Sequence, residues 1–379
     1  MSRPRPPLKI LHIASGDLWA GAEVQAYTLL CALRDNEDMQ VAAILLNEGE
    51  LARRLRARGI EVYIVPENTL NAWGILLELR KLMLAWQPNL IHTHRIKENI
   101  LGSIANRLSR NVPSVRTVHG AGEHVPKGLR KIHKRILNYL DCWTGLHLQQ
   151  KAIAVSQELA GKLLANFPLK HLVVIENGVD VDAVCTQKHV VEFRESMPHA
   201  IHVGIVGRLV PVKRVDIFLE MALLLSDRHA NQAWQFHVFG DGPLKDSLIA
   251  RTNELGIGPI VTFHGHRQDI IPCIAGLDVL VMCSDHEGLP MTILESMALQ
   301  IRIVAHAVGG LSDALRDYRQ GLLVAGHSAN DYADAVFRLI RQSPTADPQP
   351  PMERFSARSN ARAVARLYAD LTAGSVPAN

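Results

Sequence analysis

The chain has 379 residues, 47% of them apolar and 21% charged, with a formal net charge of +4. This balance excludes a disordered chain and a strongly basic nucleic-acid binder, and at about 150 residues per domain the length predicts two domains. Five scattered cysteines (Cys31, Cys142, Cys185, Cys273, Cys283) with no Cys-x-x-Cys pair exclude a disulfide framework and predict reduced thiols.

Met1 to Pro7 is a Pro/Arg arm with no apolar stretch after it, so no signal peptide is expected. No run approaches the ~18 uninterrupted apolar residues of a membrane span. The expected location is the cytoplasm, at most peripherally at the inner face of the cell membrane. Short β-branched runs then alternate with segments of helical period. Strands are predicted at Leu8–Ala14, Val41–Leu46, Ile60–Val65, Asn89–Thr93, Ser114–His119, Ala152–Ser156 and Leu172–Ile175. Helices fall between them at Glu23–Leu33, Ala72–Trp86, Ile96–Leu108 and Gln157–Asn166. The alternation implies βαβ units and a parallel sheet.

The pattern restarts with strands at Ile201–Val206, Gln235–Phe239, Ile260–His264, Val279–Cys283, Arg302–Ala305 and Leu322–Val324. Helices are predicted at Arg214–Ser226, Leu244–Leu255, Met291–Leu299 and Asp331–Arg341. Asp182–Ala200 lacks periodicity and reads as a linker. Pro-rich Ser343–Pro351 interrupts the end, and Glu353–Leu371 reads as a last helix. Ligands of such sheets bind at the carboxyl ends of strands, so chemistry is expected in the loops that follow them.

The strongest local signal is Glu287-Gly288-Leu289-Pro290-Met291-Thr292-Ile293-Leu294-Glu295. Pro290 suits the first residue of a helix, and the amides of Gly288, Leu289, Met291 and Thr292 would converge there as an anion site. Two flanking carboxylates suit a ligand with a phosphate and vicinal hydroxyls, Glu295 for ribose and Glu287 for a sugar ring. The bland alternative is two glutamates stabilising a helix start. Gly207-Arg208-Leu209-Val210-Pro211-Val212-Lys213 follows another strand, and its two cations suit a diphosphate. Phe239-Gly240-Asp241-Gly242-Pro243 closes a third strand with a tight turn.

In the first half, Ser15 to Glu23 occupies a phosphate-turn position but lacks Gly-x-Gly-x-x-Gly. His119 ends a strand just before Gly120-Ala121-Gly122, where it could meet substrate. His92/His94 and His264/His266 could each share a strand face, but no third metal ligand is evident. Asp180-Val181-Asp182 spells a carboxylate pair that reads as a turn. The segment Lys127–Leu137 is a basic helix with apolar Leu129, Ile132, Ile136 and Leu137, suited to an anionic membrane surface or to plain solvation.

In this order the segments resemble the retaining glycosyltransferases of family 4, from about Leu8 to Leu371. Glu287 to Glu295 matches the E-x7-E motif, and Gly207-Arg208-Leu209 with Lys213 matches the G-R-L…K motif. Phe239 to Pro243, Glu176-Asn177-Gly178-Val179-Asp180, Val308-Gly309-Gly310 and Gly321-Leu322-Leu323 match further signatures. The resemblance implies an α/β fold of the GT-B kind, two Rossmann-like domains facing a cleft. It implies an acceptor-binding domain over 1–182, a donor-binding domain over 183–351, and a final helix over 352–379 returning to the first.

It also implies a sugar moved from a UDP- or GDP-linked donor to a glycan or lipid-linked acceptor, with retention of configuration, in cell-surface polysaccharide or lipopolysaccharide synthesis. Arg208, Lys213, His119 and Glu287 would serve catalysis; Gly21, Gly240, Gly288, Leu289, Met291 and Glu295 would hold the donor. No metal, cofactor or nucleic acid is implied. Ala20 departs from the family, where many members have a glycine. The alternatives are a nucleotide-sugar 2-epimerase or a phosphorylase on the same architecture, or a non-catalytic nucleotide-sugar binder.

Overall fold

The computed structural model describes residues 6–120, 129–342 and 352–373. The expectations on Met1–Arg5, Ala121-Gly122, Lys127-Gly128 and Ser343–Pro351 lie outside these residues. The chain divides into two compact units, Met1–Gly178 with Arg354–Asn379, and Val179–Glu353.

The first unit is a seven-stranded parallel sheet of β1 (Leu8–Ala14), β2 (Met39–Leu45), β3 (Glu61–Ile64), β4 (Leu90–Thr93), β5 (Ser114–Val118), β6 (Lys151–Ala154) and β7 (Leu172–Val174). Their spatial order is 3-2-1-4-5-6-7. Period-two alternation sorts the side chains onto both faces. Ile10, Val41, Ala43 and Leu45 pack with Leu29, Leu30, Val364 and Tyr368 on one side. Leu11, Ile13, Ala42 and Ile44 pack with Ile75, Leu79 and Met83 on the other. Each such fully buried aliphatic side chain contributes about 1.5–3 kcal/mol. The helix Ala72–Trp86 shows the local logic. Asn71 caps it by accepting from the Gly74 amide at 2.9 Å, and apolar positions 75, 76, 79 and 83 form its buried stripe. The last helix, Ala357–Ala373, packs in this unit against Gly21–Arg34.

The second unit repeats the plan with β8 (Ile201–Val206), β9 (Trp234–Phe239), β10 (Val261–Gly265), β11 (Val279–Met282), β12 (Arg302–His306) and β13 (Gly321–Val324). The parallel order is 10-9-8-11-12-13. Strand order reverses between β8 and β11, where sheets of this kind hold their ligands.

Asp182–Ala200 is not the featureless linker expected. It contains the helices Val181–Thr186 and Glu192–Ser196, too short for a hydrophobic period to register. Glu50–Ala57 and Ile270–Ala275 are further helices of that kind.

A buried cation ties the long helix Leu129–His147 to β5. Arg116 is 1% exposed, and its guanidinium donates to Asp141 Oδ1 at 2.8 Å and to the Asp141 carbonyl at 2.8 Å. Removing one partner of a buried pair strands the other charge. Asp141→Ala is therefore expected to destabilise the first unit by about 3 kcal/mol in urea unfolding; an unchanged midpoint would mean that Gln149 and Thr144 suffice to satisfy Arg116.

Candidate functional site

The loops that leave β8, β9, β11 and β12 are fastened to one another through their backbones. Leu209 N donates to Asp241 O at 2.9 Å, Asp285 N to Val212 O at 2.9 Å, and Gly310 N to Gly288 O at 2.6 Å. Two contacts admit only glycine. A Cβ on Gly240, at φ 140°, would lie 1.8 Å from the Gly207 oxygen, and one on Gly309, at φ 59°, would lie 2.0 Å from the Glu287 oxygen. Expected turn glycines thus become points where two strand-end loops touch.

Lys213 ends the short 3-10 turn Pro211–Lys213, and its Nζ donates to Glu287 Oε1 at 2.6 Å. Both side chains are largely buried, at 18% and 11% exposure, so the pair is more than a solvated surface contact. Arg208 lies exposed in the same loop. Gly207, Arg208, Lys213, Phe239, Met282 and Ser284 line a small pocket.

The helix Met291–Ala298 begins at the residue predicted, with Pro290 as its extended N-cap rather than its first helical residue. Gly288, Leu289 and Met291 are buried at its start, where the first amides of any helix lack intrahelical acceptors. Glu295 lies one turn inside and is 6% exposed. Among the described residues no group hydrogen-bonds its carboxylate, and burial raises its pKa to about 7. Neighbouring positions also hold unmet polar atoms: Ser284 Oγ and His286 Nε2 are buried without a partner. Sequence reasoning missed both, because a Ser and a His in a loop carry no signal of burial.

In the first unit, Gly21 opens the helix Gly21–Arg34 behind the N-cap Ala20, and a Cβ there would meet nothing within 4 Å. Glu23 was overlooked, since a glutamate in a first helical turn is ordinary. It is 2% exposed, its pKa is raised by burial to about 7, and it meets Arg95 Nη2 at 2.6 Å while its Oε2 has no partner. His119 stands just past the end of β5, with burial and nearby Arg95 lowering its pKa to about 4.

The metal expectation needs correcting on one point: the fold supplies a third imidazole. His12 joins His92 and His94, and one nitrogen from each lies within 4.8 Å of the others. His264 and His266 do not form such a pair, because His264 bonds His237 while His266 is exposed. Asp180 caps the helix Val181–Thr186 by accepting from the Ala183 amide, so the segment read as a turn is a helix start.

Comparisons with known proteins cover most of the chain. The family described as "Glycosyltransferase Family 4" matches residues 19–183, and "Glycosyl transferases group 1" matches residues 200–342. The UDP-Gal:alpha-D-GlcNAc-diphosphoundecaprenol alpha-1,3-galactosyltransferase of Escherichia coli is 26% identical over 360 residues, 89% of each chain. A D-inositol 3-phosphate glycosyltransferase of Mycobacterium sp. (strain JLS) is 26% identical over 362 residues, 88% of this chain and 76% of its own. Among solved structures, Anabaena Alr3699/HepE in complex with UDP and glucose superposes with a TM-score of 0.79 at 19% identity, covering 96% of this chain and all of the other.

Glu295 links the site to pH. Its folded pKa of about 7 lies above the ordinary 4.5, so its contribution to stability is full below pH 4.5 and is lost as pH rises through 7. Glu295→Gln should therefore stabilise the protein by up to about 3 kcal/mol at pH 8 and leave it unchanged at pH 4. Equal unfolding free energies at pH 8 would contradict a buried, unpaired carboxylate.

Proposed function

The chain belongs to glycosyltransferase family 4 and has its GT-B fold, and on that premise we propose a transferase that takes a hexosyl group from a UDP-linked donor. The observation that carries this reading is Glu295, a buried carboxylate with no hydrogen-bond partner among the described residues, on the same strand-to-helix segment as Glu287 of the Lys213–Glu287 pair. A carboxylate retained at such cost suits a ligand that brings two adjacent hydroxyls, as ribose does. Lys213 spends one N–H on Glu287 and has two left for a diphosphate, and Arg208 adds a forked cation. Gly240 permits close backbone approach, and Gly288, Leu289 and Met291 open a helix start suited to the donor's anionic part. The UDP complexes of the Anabaena neighbour favour uridine.

Transfer proceeds with retention. The bond from the anomeric carbon to the phosphate oxygen breaks, the acceptor oxygen bonds the same face, and the acceptor's proton passes to the leaving phosphate. Glu287, tied to Lys213, is not offered as a nucleophile. Charge developing on the leaving diphosphate is met by Lys213 and Arg208, preorganised cations that stand where a divalent ion otherwise would. In the first unit, His119 and Gly21 are the positions that the family resemblance assigns to catalysis and donor binding.

The acceptor is a lipid-linked or polysaccharide glycan, in line with the names of the relatives. Among the described residues no helix is long and apolar enough to cross a membrane. The helix Leu129–His147 nevertheless exposes Ile132, Ile136, Tyr139 and Trp143, spaced 4, 3 and 4 residues apart as one stripe. Its sequence also carries Arg130, Lys131, Lys134 and Arg135. Apolar stripe and cations together fit an anionic lipid surface.

Lys213→Ala is expected to slow transfer from a UDP-sugar by at least ~100-fold, with wild-type activity unaffected by EDTA. Wild-type rates in that variant, or activity that EDTA abolishes, would sink the metal-free cationic site. Isomerisation of UDP-GlcNAc without an acceptor would reassign the chain as an epimerase. In sedimentation with vesicles, Trp143→Glu should lose binding to phosphatidylglycerol-containing vesicles that the wild type retains; no wild-type binding would remove the membrane from the reading.

A further inference from the structure

The buried imidazoles of the first unit form one continuous hydrogen-bonded chain. Thr117 Oγ1 lies 2.7 Å from His92 Nε2, and His92 Nδ1 lies 2.5 Å from the Tyr368 hydroxyl. That hydroxyl is 3.3 Å from His12 Nε2. His12 Nδ1 is 3.0 Å from His94 Nε2, and His94 Nδ1 is 3.4 Å from His119 Nε2. Five of the six groups sit on β1, β4 and β5 or at their ends, and the last helix supplies Tyr368.

Six groups with one hydrogen each share five links, so one hydrogen stays outside the chain, that of His119, Thr117 or Tyr368; the last would have the Tyr368 hydroxyl, 0% exposed, accept from both His92 and His12 with its own hydrogen buried and unmet. If Thr117 donates to His92 and Tyr368 to His12, every donor and acceptor along the chain is used, and His119 Nε2 ends as an acceptor. In the opposite direction Thr117 would accept from His92, and its own hydroxyl hydrogen would be buried with nothing to receive it. Thr117 is 3% exposed, and His92 is its only side-chain hydrogen-bond partner among the described residues. An unmade buried hydrogen bond decides between otherwise equal directions.

We propose that this chain fixes His119 as the neutral tautomer with its proton on Nδ1, making it a hydrogen-bond donor to substrate, with Tyr368 and Thr117 as positioning residues. The substrate role rests on the glycosyltransferase reading; the tautomer does not. Burial holds Tyr368 well above the ordinary phenol range, and His12 down to about 3, so neither group gains or loses a proton near neutrality. The second unit holds a shorter ladder with its direction fixed independently. His202 Nε2 lies 2.9 Å from the Met197 carbonyl and must donate, so His237 donates from Nε2 to His202, and His264 from Nε2 to His237.

A metal ion on His12, His92 and His94 is the rival use of these residues. Taking one nitrogen from each, it would break at least two of the five links and place a dication in the core, with no carboxylate among the chain's members.

The test is histidine side-chain nitrogen NMR on the labelled full chain, without added metal, with the His202–His237–His264 ladder as internal reference. His119 should show a protonated Nδ1 and a bare Nε2 at pH 7. Tyr368→Phe and Thr117→Val should each convert it to a tautomer mixture and lower kcat at least about tenfold with donor KM unchanged, short of the ~10^4 that a wrong tautomer costs a serine-protease triad. Thr117→Val keeps shape and guards against a Tyr368 variant that fails to fold. A proton on Nε2 of His119, unchanged His119 signals in both variants, or stoichiometric zinc bound to the purified protein would overturn the proposal. The expected tautomer in a protein that turns over no sugar nucleotide would instead support the chain and refute only the transferase reading.

Discussion

A polar group taken out of water is costly unless the fold gives it a partner, and both sheets are organised around where that requirement is met. It is met in the interior. Arg116, at 1% exposure, has Asp141, Gln149 and Thr144 around its guanidinium. The imidazoles of His12, His92 and His94 bond one another and Tyr368 rather than water. Among the described residues it goes unmet at Ser284 and His286 after β11, at Glu23 in the first turn of Gly21–Arg34, and at Gln25 and Ser103, while no group hydrogen-bonds the buried Glu295 carboxylate. Such groups lower stability, and those in the segment that follows β11 fit atoms kept for a ligand.

The parallel sheets were legible because a strand buried on both faces reads as a short unbroken apolar run. All thirteen strands lie within one or two residues of the expected ones, and Ala72–Trp86 and Ile201–Val206 coincide with theirs. The short helices Val181–Thr186 and Glu192–Ser196 escaped because fewer than two turns cannot display a 3.6-residue period.

The site was half legible. Glu287 to Glu295 and Gly207 to Lys213 could be read as loops after strands, but nothing in their spacing showed that Lys213 and Glu287 form an ion pair across 74 residues. The same blindness hid His12. A lone histidine in an apolar strand carries no signal of a partner; only the β1–β4 pairing, which sets His12 opposite His92, makes it part of a cluster. Long-range register is the information that local pattern lacks.

The Lys213–Glu287 pair shows how the two demands on this site are reconciled. A half-buried ammonium awaiting a diphosphate would be unpaired in the empty protein, and removing one member of such a pair costs more than the pair contributes. Glu287 occupies one of the three donors and leaves the rest directed elsewhere. Gly309, pressed against the Glu287 carbonyl, and the Gly310–Gly288 bond fix the backbone that carries the carboxylate. The counter-charge is therefore held by main-chain contacts rather than by a flexible side-chain loop. On the proposed reading, donor binding adds phosphate oxygens to a cation whose position is already set, so little reorganisation remains to be made in the transition state.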